Sequence, residues 1–107
     1  MKNSKKYIGA VNVFGTLYKV FLFDYECEYI GLTDKKEKRI YIDCRLKDEI
    51  LTDTLTHELL HAYFYECGLE SYSNDETLVG CLGRWFLSIN NNVACLEYCI
   101  KKSGVKK

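Results

Sequence analysis

The sequence predicts an α+β domain: a small, mostly antiparallel four-stranded sheet packed on a central helix, with a second helix at the C-terminal end. Three observations lead there. Between residues 11 and 43, short runs of β-branched and aromatic residues alternate with glycine or charged turns, which is how strands read. From about Asp48 to Cys67 the pattern turns helical, with Leu51, Leu55, Leu59 and Ala62 on one stripe and no proline to interrupt it. Beyond Gly68 a second helical stretch starts near Ser73, runs to about Ile89, and continues or restarts after Asn90-Asn91-Asn92 as far as Lys101.

Taken in order, Val11-Asn12-Val13-Phe14, Gly15 and Leu17-Tyr18-Lys19-Val20-Phe21-Leu22-Phe23 read as a hairpin with its turn. Tyr29-Ile30-Gly31-Leu32 is a third short strand, residues 33–38 a polar turn, and Arg39-Ile40-Tyr41-Ile42-Asp43 a fourth strand. The helix that follows also carries Leu60, Tyr63 and Phe64 off the main stripe, so it is apolar around much of its circumference and belongs at the centre. Gly68 stands where a left-handed residue ends a helix. Residues 69–72 read as a loop, and Ser73 with Glu76 has the spacing of a capping box. Gly80 and Gly83 lie one and two turns beyond Glu76. A glycine inside a helix costs about 1 kcal/mol relative to alanine, and close approach of the two helices accounts for both.

The 107 residues make one domain, with solvated termini at about 1–6 and 102–107 where lysines gather. Lys plus Arg and Asp plus Glu are each 15, so there is no broad basic field and no direct nucleic-acid role is expected. The apolar run near the start is broken by Asn12, Thr16 and Lys19, and no stretch approaches the ~18 residues of a membrane span. A soluble, cytoplasmic protein without membrane contact is expected; composition leaves its oligomeric state open. The six cysteines include no C-x-x-C pair and, without an export signal, read as reduced, small, buried side chains. Cys95 and Cys99, four apart, read as core packing, and the nine tyrosines as core margin.

The chemistry lies in His57-Glu58-Leu59-Leu60-His61, which holds both histidines of the chain. On a helix, residues four apart sit about 40° apart around the axis and roughly 6 Å along it, so both imidazoles can reach one ion. Glu58 stands beside that ion, where a carboxylate can take a proton from water activated by the metal. The bland alternative is a pair of ordinary histidines on a half-buried helix. With no third histidine, a three-ligand site must recruit a carboxylate or thiolate. Glu76, 15 residues after His61 and at the start of the next helix, is the leading candidate, ahead of Asp75, Glu70 and Cys67. Two imidazoles and a carboxylate suit zinc best. Tyr72 or Arg84 could stabilise an oxyanion.

With these residues in place the chain resembles the zincin metallopeptidases, and more particularly the short ImmA/IrrE-type and related H-E-x-x-H proteins often carried by phages and other bacterial mobile elements. The resemblance spans roughly residues 39–85 and is most specific at His57, Glu58 and His61. It implies a minimal zincin-like fold and a gluzincin-like site: zinc held by His57, His61 and Glu76, water in the fourth position, and Glu58 as general base. It further implies that strand 39–43 offers an edge to an extended protein or peptide substrate, such as a repressor, in a bacterial or phage-infected cytoplasm. A metzincin would carry glycine and a third histidine where this chain has Phe64 and Cys67, and SprT-like proteases also use a third histidine. The function expected is therefore zinc-dependent endopeptidase; the alternative is a catalytically weak zincin scaffold that docks on a host protein.

Overall fold

The computed structural model describes residues 4–24 and 29–104. Cys27 and the terminal Lys2, Lys106 and Lys107 lie outside the described residues. Four strands, β1 (Ser4–Val13), β2 (Thr16–Asp24), β3 (Gly31–Asp34) and β4 (Arg39–Asp43), precede three helices, α1 (Asp48–Glu66), α2 (Glu70–Ser73) and α3 (Glu76–Ser103). The first strand begins well before Val11, so Lys5 and Lys6 belong to the sheet and not to a frayed end. Its turn into β2 has Phe14 at φ 51° and Gly15 at φ 93°, two left-handed residues that match the twist of a tight hairpin. Asn12 Oδ1 accepts from the Gly15 amide at 2.6 Å.

The sheet is mixed, which corrects the mostly antiparallel expectation. Its order is β1-β2-β4-β3, with β1/β2 and β3/β4 antiparallel and β2/β4 parallel. Burial explains the order. Ile40, Tyr41, Ile42 and Asp43 are all buried, whereas β3 has no buried residue, so the apolar strand takes the interior place and the Gly-Leu-Thr-Asp strand takes the edge. Strand 39–43 is thus paired on both sides and has no free edge to offer. The third strand also starts at Gly31, and the turn before β4 is only residues 35–38, where Asp34 Oδ1 accepts from the amides of Lys36 and Glu37.

The core joins the sheet to α1. Val13, Tyr18, Val20, Ile40 and Ile42 form one buried cluster with Ala62, and Leu51, Leu55 and Leu59 pack against it. At the β4–α1 junction Arg45 makes two side-chain hydrogen bonds to buried Asp43, at 2.6 and 2.9 Å. The Arg45 guanidinium holds that carboxyl below its ordinary range. Gly68, at φ 81°, ends α1 in the left-handed conformation.

Residues 70–73 form a short helix, not a loop, and the capping box is absent. Asp75 caps α3 instead, its Oδ1 accepting from the Leu78 amide at 3.0 Å. The third helix runs unbroken through Asn90-Asn91-Asn92 for 28 residues. A Cβ on Gly83 would meet Leu60 Cδ1 at 3.7 Å, an ordinary contact, and a Cβ on Gly80 would meet nothing within 4 Å, so neither glycine is required by the helix contact. The cysteines also depart from expectation: Cys44, Cys67, Cys95 and Cys99 are exposed and Cys81 is half-buried, all as free thiols. Among the described residues no helix is long and apolar enough to cross a membrane.

Candidate metal centre

One turn of α1 and the first residue of α3 build the site. His57 and His61 lie on the same side of α1, their ring centroids 4.9 Å apart. Asp75 starts α3 at a point where Glu76, its first residue, faces both rings: Glu76 Oε1 is 2.9 Å from His57 Nε2 and Oε2 is 3.2 Å from His61 Nε2. Ligand atoms of the three residues all lie within 4.8 Å of one another, and among the described residues no other group of three such side chains is as close. Of the other third-ligand candidates, Asp75 is committed to its cap, and neither Glu70 nor Cys67 joins the group.

The hydrogen bonding of His61 shows what the group can hold. Its Nδ1 is 2.6 Å from the Ser73 carbonyl oxygen, which can only accept, so Nδ1 carries a proton, while Nε2 faces Glu76 Oε2 at 3.2 Å. Both ring nitrogens therefore face acceptor oxygens. A neutral imidazole satisfies one of them; the other needs a second proton or a cation between Nε2 and the carboxylate. A metal ligand whose far nitrogen donates to a backbone carbonyl is the usual second layer of such centres. The Ser73 hydroxyl fixes this layer by donating to the His61 carbonyl at 3.0 Å.

Glu58 is buried beside the histidines, only 7 % exposed. Burial pushes its carboxyl above the ordinary value, while a hydrogen bond from Thr33 works against that. The Thr33 hydroxyl donates to Glu58 Oε1 at 2.7 Å and lies 2.8 Å from the Glu58 main-chain oxygen. Gly31 leaves the space this requires: a Cβ there would fall 2.8 Å from Thr54 Cγ2 and 2.9 Å from Glu58 Oε2. Two open clefts of about 490 and 510 Å³ flank Glu58 and share Tyr29 and Gly31 in their walls. One adds His61 and Glu76, the other His57 and Asp53. Their lining is partly polar, including Lys35, Asn74 and Asp53.

Thr33, Gly31 and Ser73 are the residues the sequence reading missed. Local pattern gives each a different role, as turn, strand or cap residue, and a lone threonine or serine carries no spacing signal. Of the two oxyanion candidates, Arg84 lines a small cavity with His57 and Gly80, while Tyr72 lies against Phe64 at a ring distance of 5.9 Å. Comparison with protein-family models, with curated proteins and with solved structures finds no match.

Proposed function

We infer that the chain is a zinc-dependent peptidase of the small zincin type, acting on an extended segment of a regulatory protein. The observation that carries this reading is the convergence of His57, His61 and Glu76 beside a buried glutamate that is not itself one of the three. A structural site would gain nothing from a fourth ionisable group held in reserve. Zinc bound by the three would supply a Lewis acid able to polarise a carbonyl and make water acidic near neutral pH.

The chain's own residues supply the rest. Glu58, oriented by Thr33, accepts the proton of the attacking water and returns it to the departing amine. His61 is kept in one tautomer and orientation by Ser73. The outer edge of β3 borders both clefts, so an extended peptide adding to that edge passes Glu58 and the triad. This assigns to Gly31–Asp34 the docking role first expected of strand 39–43.

The test is Glu58→Gln. The variant is expected to bind one zinc per chain, as the wild type does, and to lose cleavage of unfolded protein substrates by at least about 10²-fold. An unchanged cleavage rate overturns the mechanism. Zinc bound by a wild type that cleaves nothing would favour the scaffold-and-docking alternative.

A further inference from the structure

The distal half of α3 leaves the body of the protein. Only Val79 and Gly83 of its 28 residues are buried, and every residue from 88 to 103 is exposed. The molecule measures 52 × 34 × 26 Å, with a radius of gyration of 16.3 Å, well above the about 13 Å of a compact chain this size. Most helical stability in proteins comes from packing an apolar face, and the middle of this helix lacks both that packing and charged-pair support. Between Arg84 and Glu97 there is no charged residue to form an i,i+4 pair, and three consecutive asparagines weaken the helix further.

What the segment does carry is a seam. Val79, Leu82, Phe86, Ile89, Val93, Leu96 and Ile100 alternate steps of three and four, the heptad pattern of a coiled coil. Phe86, Ile89, Val93, Leu96 and Ile100 are 44–62 % exposed. With the flanking Trp85 and Asn92, two such seams would bury on the order of 1,000 Å², the area a specific interface has to clear. The seam also runs into an apolar cavity of about 450 Å³ at its inner end, walled by Phe14, Tyr63, Leu69, Leu82 and Phe86 with no polar surface.

We propose that α3 pairs antiparallel with α3 of a second copy of this chain. The occupant follows from the pattern. A heptad seam without charges is complementary to itself, and the antiparallel arrangement keeps the two bodies at opposite ends while opposing the helix dipoles. The layers are Phe86 with Leu96, Ile89 with Val93, and Leu82 with Ile100 of the other copy. The last layer brings each helix tip to the mouth of the other's apolar cavity.

Sedimentation equilibrium of the full chain at micromolar concentration is expected to give twice the chain mass of 12.5 kDa. Ile89→Lys and Val93→Glu should each give monomers, with wild-type circular dichroism and zinc content. Mixed one to one, they should recover the dimer, because only the antiparallel layering sets the introduced lysine against the introduced glutamate. A monomeric wild type overturns the proposal whatever the variants do, as does a dimer that survives both substitutions. Monomeric variants that fail to complement each other overturn the antiparallel seam.

Discussion

The Thr33 hydroxyl and the Glu58 carboxylate, 2.7 Å apart, tie the edge strand of the sheet to the H-E-x-x-H helix. The bond favours the ionised form of a carboxyl that burial otherwise pushes upward. Thr33→Val keeps the shape and removes the donor, so the Glu58 pKa must rise. A base with a higher pKa needs a higher pH to be ionised. The acidic limb of the pH–rate profile should therefore move up, because the lost hydrogen bond favoured the charged form. Zinc content should not change. A limb that stays in place would show that Thr33 does not govern Glu58.

Gly31 allows Glu58 to sit where it does. In Gly31→Ala the new Cβ would be under 3 Å from both Thr54 Cγ2 and Glu58 Oε2, closer than side chains tolerate. Either Glu58 or the strand must shift. We expect a stability loss of about 1–3 kcal/mol in denaturant unfolding and a fall in cleavage larger than that loss explains, with one zinc still bound. Full activity in a folded variant would mean the strand gives way without moving the base.

Periodicity is what made the helices and the two-histidine turn legible, because an i,i+4 pair on an apolar helix is visible in residue spacing alone. The want of a third histidine points to a carboxylate or thiolate and favours Glu76 without setting aside Asp75, Glu70 or Cys67. The strand order was not legible. Alternation says that residues 39–43 form a strand, but only the run of four buried residues from Ile40 to Asp43 reveals a strand with neighbours on both sides. Ser73 and Thr33 were hidden for a different reason: their partners are a carbonyl and a carboxylate 12 and 25 residues away, and nothing local distinguishes them from caps or turn residues.

The paired acceptors around His61 predict a stability linked to metal. With a cation between Nε2 and Glu76, both faces of the ring are satisfied by one neutral imidazole. Zinc at about 100 times its dissociation constant should stabilise the fold by roughly 2.7 kcal/mol, seen as a higher thermal midpoint that a chelator reverses. Glu76→Ala and His61→Ala should each lose most of that increment. An increment that persists in both would place the zinc elsewhere.

At the far end of α1, Glu66 anchors the helix to the sheet by accepting from Tyr18 at 2.7 Å, Lys38 at 2.8 Å and Thr16 at 3.2 Å. Tyr18 is fully buried, and burial together with Glu66 pushes its phenol upward, so it remains a neutral donor at every working pH. Lys38 and Tyr18 hold the Glu66 carboxyl below its ordinary value. A carboxyl depressed in the folded state contributes its full stability above the unfolded pKa and loses it as pH falls through the folded one. Glu66→Ala strands a buried hydroxyl and should cost about 1–3 kcal/mol at neutral pH. The difference between wild type and variant should narrow as pH drops below about 4. Urea unfolding of both proteins across that range measures it directly, and a gap that stays constant into acid would mean that packing around Tyr18, and not the charge on Glu66, secures this end of the helix.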